Sequence, residues 1–492
     1  MYILRTIPVI AALLLCGWAA FGATTTVAKK PAPKKTAAKK STARKPVRKP
    51  SAKSATAAKA PVRKSTVARR TTSRTTTQRR AATRVPLVRT TPVQRVNATH
   101  QVSTFLATAS DTAVEQAGAL VPFFERLYRL ESKSVPNPVH IMHFGDSHTA
   151  GEDWTGRLRA LYQGRFGNGG SGFSLAGHPF AGYRRFDARG GATGQWRSEG
   201  LRTGAGDGWY GLGGISVTAE RPGQSVYLDA EGDHVEIEFL RQPGGGQLAF
   251  YDNDQLRETI STDGELSPGY AVYQISPGAH RFTIRTLESK PVRLLGWVVD
   301  KPAGVTYESL GINGAEAGVI LHWNPEMLAT YLRRRDPGLI VLAYGTNEAS
   351  DSAWKEPGSY FAMFSALLQQ LRQSAPTASI LVLGPGDRWM RTRAGWHTVV
   401  GIDSIIEAQR TACRQFGCAF WDTRKRMGGE GAMLSWVYSG LAQNDRVHFT
   451  TPGYQRLADI LYSDLNSQYE VFLKARQQVA QEPYGNPNSK NP

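Results

Sequence analysis

The sequence predicts an α/β protein: a parallel sheet covered by helices on both faces, interrupted by an all-β sandwich and preceded by a disordered basic tail. Three observations carry that expectation. Short apolar strands alternate with amphipathic helical stretches before residue 167 and again after residue 303, the pattern of βαβ units. Between them glycine becomes dense and helical periodicity disappears. From Thr24 to His100 there are 22 Lys or Arg and no Asp or Glu.

The formal charge of +20 therefore belongs to one segment of the 492 residues. Setting aside those 22 and Arg5 leaves 37 basic residues against 40 acidic ones, so the folded part is near neutral. The tail is Ala, Lys, Arg, Thr, Pro and Ser with almost no aromatics, too polar to build a core, and is expected to be disordered over 24–100. Ahead of it, Arg5, the apolar stretch Ile7 to Trp18 and the small-x-small run Ala20-Phe21-Gly22 read as a secretory signal over 1–23. An uncleaved anchor is the alternative, although the apolar run is short for a bilayer of about 30 Å. Export to the periplasm or cell envelope turns the tail away from nucleic acid, which Lys-rich runs would otherwise suggest. It points instead to an electrostatic tether on anionic wall polymers or a membrane surface, with a solvated spacer as the alternative. Cys413 and Cys418 could close a small disulfide or remain two buried thiols.

Taken in order, Ala113 to Leu130 has helical spacing, with Val114, Ala117, Leu120, Val121, Phe124, Leu127 and Leu130 on one face. Val139 to Phe144 reads as a strand and Trp154 to Phe166 as a helix, completing a first α/β part over 101–166. Over 167–302, alternating runs such as Val235 to Phe239, Gln247 to Tyr251 and Arg281 to Ile284 are separated by Gly, Pro, Asn and Asp turns. This is the inserted sandwich. The second α/β part, 303–476, has helices over Pro325 to Arg335, Ser359 to Ser374, Val399 to Gln415 and Thr451 to Leu473. Its strands are Gly338 to Tyr344, Ser379 to Gly384 and Ala419 to Asp422. Residues 477–492 are polar and expected to be disordered.

Three polar runs fall where strands stop: Gly145-Asp146-Ser147-His148, Gly345-Thr346-Asn347-Glu348 and Asp445-Arg446-Val447-His448. In parallel sheets, reactive groups collect at such strand ends. Ser147 supplies a hydroxyl between strand and helix, but serine is a poor nucleophile without an adjacent base. His448 can be that base, with Asp445 holding its tautomer. Asn347 offers an amide N–H to an oxyanion. Each run alone has an ordinary structural reading as a turn or cap. A metal cluster of His143, Asp146 and His148 competes, but on a strand His143 and Asp146 face opposite sides, so neither metal nor cofactor is expected. The Gly-x-Ser-x-Gly elbow is absent, because Thr149 occupies the last glycine position.

Gly-Asp-Ser followed by Gly-x-Asn and Asp-x-x-His resembles the SGNH/GDSL hydrolases. Further runs resemble the peptidoglycan O-acetylesterase branch: Pro122-Phe123-Phe124-Glu125-Arg126-Leu127, His143-Phe144-Gly145-Asp146-Ser147-His148-Thr149 and Leu310-Gly311-Ile312-Asn313-Gly314-Ala315. So do Tyr344 to Ala349, Phe420-Trp421-Asp422-Thr423, Met427 to Gly431 and Asp445 to Thr450. The resemblance spans about Val121 to Leu461 and implies a three-layer, flavodoxin-like fold with a carbohydrate-module-like β insert. It implies Ser147 as nucleophile with Asp445 and His448 behind it, and an oxyanion hole from Ser147, Gly314 (Gly311 being the rival) and Asn347. Glu348 stands where many members have Asp, as in the esterase branch. The activity implied is removal of O-acetyl groups from a cell-wall glycan, with muramic acid in peptidoglycan as the expected substrate. An O-acetyltransferase using the same site is the alternative, and a noncatalytic wall-binding protein the third reading. Trp196, Trp209 and Tyr210, in glycine-rich loops of the insert, are candidate sugar-stacking residues, or else core of the insert.

Overall fold

The computed structural model describes residues 90–107, 113–134, 137–201 and 206–481. The signal segment and residues 24–89 of the tail lie outside these. The described residues fall within one compact unit that spans Ala81–Pro492.

Five parallel strands form the central sheet. In chain order they are Val139–Gly145, Val305–Gly311, Leu339–Ala343, Ser379–Leu383 and Ala419–Trp421, and across the sheet they lie 2-1-3-4-5. This is the flavodoxin-like order, which reverses between the first and third strands. Alternation along each strand divides the core in two. Met142, Phe144, Ile340, Leu342, Ile380 and Val382 face one cluster, with the helices Pro325–Arg335, Ser359–Ser374 and Ile402–Phe416. Ile141, Leu339, Val341, Leu381 and Leu383 face the other, with the helices Val121–Glu131, Asp153–Phe166 and Thr451–Gln481. The expected three layers follow from strands buried on both faces.

A short antiparallel edge strand, Val114–Glu115, pairs with Phe420 and Trp421 and makes the sheet mixed. The sequence pattern had assigned this stretch to a helix starting at Ala113. The chain instead forms strand, a left-handed Gln116 (φ 55°) and the 3-10 turn Ala117–Leu120 before the helix Val121–Glu131 begins. Val114 and Leu120 are buried all the same, so the apolar spacing reported burial correctly and local conformation wrongly.

Residues 170–300 form nine antiparallel strands hydrogen-bonded into one sheet, built around the long strands Ser225–Arg241 and Ser267–Thr286. The hydrogen bonding is continuous, and Val226, Leu228 and Phe282 from one half of these strands share a buried cluster with Ile237 and Phe239 from the other. The region does not keep its core to itself. One apolar cluster is its own, but Phe173, Leu175, Leu240, Leu295 and Val298 join the α/β core around Phe144. Arg335, at the end of its helix, pairs with Asp300 of the β region and Glu308 of the α/β sheet.

Both tail boundaries move outward. The helix Pro92–Ala107 starts inside the stretch expected to be disordered and buries Ala98 and Val102, with Gln101 accepting from Ser435 Oγ at 3.3 Å. At the other end the last helix runs on to Gln481, with Arg476 paired to Glu125. Cys413 and Cys418 are both buried free thiols.

Candidate active site

The site forms where the sheet order reverses and loops leaving adjacent strands part. The strands ending at Gly145, Gly311 and Ala343 stop level with one another. Gly145 has to be glycine, because a β-carbon there would enter the Thr149 side chain and the Ala343 carbonyl. Asp146 then caps the helix Ser147–Ala150, its Oδ1 accepting the His148 N–H at 2.9 Å. Burial pushes the Asp146 carboxyl up to about 6, against the His148 N–H and the charge on His448.

Ser147 Oγ lies 2.9 Å from His448 Nε2, and His448 Nδ1 lies 2.7 Å from Asp445 Oδ2. A carboxylate only accepts, so Nδ1 carries the proton and Nε2 presents its lone pair to the serine hydroxyl. Asp445 Oδ1 accepts the N–H groups of Val447 and His448, both at 3.0 Å. Burial raises the Asp445 carboxyl, but His448 and these N–H groups hold it below its ordinary range. In turn the hydrogen bond to Asp445 lifts the His448 imidazole above its usual value, against burial. Behind it, the ring of His148 sits 5.1 Å away and shares Nδ1 with the Tyr454 hydroxyl at 2.9 Å. Burial, then the positive fields of His448 and Arg388, hold His148 at about 3, so it stays neutral.

The two rival glycines separate by geometry. Gly311 ends its strand with the Ala150 backbone packed where a β-carbon would be. Gly314 lies in the following loop at φ 76° with open space at that position. The N–H groups of Ser147 and Gly314 have no hydrogen-bond partner among the described residues. Asn347 Nδ2 donates to the Ala315 carbonyl at 2.8 Å and approaches Asp146 Oδ2 at 3.5 Å. The latter is at the limit of a hydrogen bond, so that N–H remains available. Glu348 ties the two loops together, accepting the N–H groups of Ala317 at 2.8 Å and Gly345 at 2.9 Å, while burial pushes it up to about 8.

His143 is a core residue, bonded through Nδ1 to the Tyr307 hydroxyl at 2.9 Å and packed edge-on against Trp154. Tyr210 is buried in the main core and Trp209 is half-buried against it. Tyr210 therefore cannot stack on a sugar: its ring is turned inward, with the Arg293 guanidinium over it 5.4 Å from the centroid. Trp196 lines a cleft of about 270 Å³ with Gln195, Arg197, Glu220 and Arg221. Sequence reasoning missed His148 as a backing group, Glu348 as the tie between loops, and Arg388, whose Nη1 donates to the Thr346 carbonyl. His148 and Glu348 stand within the polar runs themselves and Arg388 follows the strand ending at Leu383, but none of the three roles can be read from those positions.

A hydroxyl next to a neutral imidazole, with unpaired N–H groups on neighbouring loops, can perform acyl transfer. Residues 285–456 match the GDSL-like lipase/acylhydrolase family. That stretch holds Gly314, Asn347, Asp445 and His448 and leaves Ser147 beyond the β region. A solved structure of a peptidoglycan O-acetylesterase in action aligns with a TM-score of 0.61 and 27% identity, covering 71% of this chain and 96% of the other. Family two carbohydrate esterases align more loosely. The one from Clostridium thermocellum, in complex with cellohexaose, has a TM-score of 0.27 and 13% identity, covering 52% of this chain and 95% of its own. The one from Cellvibrio japonicus has a TM-score of 0.25 and 13% identity, covering 58% and 99%. No curated protein sequence matches the chain. The chain thus carries a GDSL-like lipase/acylhydrolase domain and is an enzyme of that hydrolase type.

Proposed function

We propose that the protein is an exported serine esterase that removes O-acetyl groups from a cell-wall glycan, the muramic acid acetyl of peptidoglycan in particular. The observation that carries this reading is the hydrogen-bonded chain from Ser147 through His448 to Asp445. The likeness to a peptidoglycan O-acetylesterase over most of both chains supports the substrate.

His448 Nε2 takes the proton as Ser147 Oγ attacks the acetyl carbonyl, and Asp445 stabilises the imidazolium. The oxyanion is met by the N–H groups of Ser147 and Gly314 and by Asn347 Nδ2. His448 then protonates the departing sugar oxygen, leaving an acetyl ester on Ser147. Water attacks that ester with His448 again as base. The antiparallel β region presents the polymer, Trp196 and its polar cleft being the favoured contact, and the basic tail holds the enzyme on anionic envelope material.

Ser147→Ala and His448→Ala are each expected to abolish acetate release from a soluble acetyl ester, with losses of similar size because the pair acts as a unit. Normal turnover by purified Ser147→Ala would place the chemistry elsewhere. Acetylation of a glycan acceptor faster than acetate release would make the enzyme a transferase.

A further inference from the structure

Buried arginines in this protein are characteristically paired. Arg159, Arg185, Arg335 and Arg424 each contact a carboxylate. Two arginines beside the candidate active site form no ion pair with any of the described residues. Arg388 donates Nη1 to the carbonyl of Thr346, the residue before Asn347, and its buried Nε has no partner. Arg446 lies between Asp445 and Val447 at φ 58°, a conformation uncommon for a residue with a β-carbon. Its Nε is likewise buried and unpartnered.

A hairpin joins the two. The strands Trp389–Thr392 and Gly395–Thr398 pair with each other, and the Trp389 N–H donates to the Arg446 carbonyl at 3.0 Å. The Arg446 guanidinium lies over Trp396 and Trp389, 4.3 and 5.3 Å from the ring centroids. Arg391 and Arg393, also on this hairpin, are exposed. The carboxylates of Asp146 and Asp445 are close enough to be felt by Arg388, yet they are occupied by the His148 N–H and by His448.

We infer that Arg388, Arg446 and the two tryptophans form a recognition site beside Ser147 for a carboxylate carried by the acetylated glycan. A guanidinium stacked on indole keeps its edge N–H groups in plane, the arrangement that grips a carboxylate in a bidentate fashion. A half-buried cation without a counter-charge is costly, and the substrate supplies what the protein withholds. Burial draws both guanidinium groups below their ordinary pKa, as expected of cations short of a partner. The proposal rests on the esterase reading and refines it: the enzyme prefers acetyl groups on an acidic glycan over those on a neutral one. The carboxylate belongs either to the sugar itself or to a peptide attached to it.

The test uses the full chain and its Arg388→Gln, Arg446→Gln and Arg446→Lys variants. The substrates are 4-nitrophenyl acetate, an acetylated neutral oligosaccharide, and an acetylated oligosaccharide with a carboxylate on its sugar, with and without an attached peptide. Arg446→Gln is expected to lower kcat/KM for the acidic glycan by about tenfold more than for the neutral substrates, the size of one lost charge-assisted hydrogen bond, chiefly through KM. Arg446→Lys should recover part of that loss. A preference seen without peptide assigns the carboxylate to the sugar, and one that needs peptide assigns it to the peptide. Equal losses on every substrate, or a wild-type enzyme indifferent to the carboxylate, would overturn the inference. Calorimetric binding of acidic and neutral glycans to Ser147→Ala decides the same question without turnover. A wild type that hydrolyses no acetyl ester would therefore sink the esterase reading and leave this comparison intact.

Discussion

At the scale of single residues, the chemistry depends on His448 being a base that Asp445 makes stronger. The hydrogen bond between them places the imidazole above its ordinary 6.5. The neutral form is the base, so kcat/KM should rise with pH through a midpoint above 6.5 and fall away below it. The same shift means that protonation stabilises the fold. That contribution is full below about 6.5 and is lost as pH climbs through the raised value. Asp445→Asn removes the charge and the tautomer preference together. On a small acetyl ester it should cost roughly 10³-fold or more in kcat and move the midpoint down. A pH profile with an unchanged midpoint would show that Asp445 does not govern His448. Ser147, Asn347, Asp445 and His448 were legible in the sequence because each stands in a short polar run. Two runs follow the strands ending at Gly145 and Ala343. The expected strand before Asp445 is absent among the described residues, and that run lies in the loop between the helices Ala432–Tyr438 and Thr451–Gln481. His148 and Arg388 were not legible, since their roles come from partners hundreds or tens of residues away, Tyr454 and Thr346.

Among elements, the loops after the strands Val305–Gly311 and Leu339–Ala343 must keep Gly314 and Asn347 in place, and Glu348 is the tie that does so. Both of its oxygens accept backbone N–H groups in a fully buried setting. In Glu348→Gln one N–H would face an amide NH₂, leaving a buried donor without an acceptor, at about 1–3 kcal/mol of stability. Chemical denaturation measures that loss, and activity should fall as well because Asn347 is the next residue. A variant as stable as the parent would mean that the loops are held otherwise. The edge strand Val114–Glu115 shows why such local detail escaped the sequence. The same buried positions suit a helix or a strand followed by a 3-10 turn, and pairing with Phe420 and Trp421 selects the second.

For the whole molecule, the compact unit beginning at Ala81 carries all the described structure, including the helix Pro92–Ala107. A chain starting at Ala81 should keep full activity on a soluble acetyl ester. It should bind isolated wall sacculi less well than the full chain at low salt, and the difference should shrink as the Debye length falls to about 8 Å near physiological ionic strength. Equal binding of sacculi by both would reduce the tail to a spacer. A start at Val102, just past the stretch expected to be disordered, would cut through that helix. It would remove Gln101, which holds Ser435, and the buried Ala98.

The sequence by itself determined most of the order of strands and helices, the position of the β region and the three polar runs that supply the site. These are local properties, set by periodicity of 2 or 3.6 residues and by turn chemistry. Tertiary structure decided how distant pieces meet. It drew Ser147 and His448 together across 301 residues. It joined part of the β region to the α/β core and turned Tyr210 inward. It left Arg388 and Arg446, beside the serine, with no ion pair among the described residues. Such outcomes depend on which surfaces bury each other, a contest among residues far apart in the chain that no local pattern records.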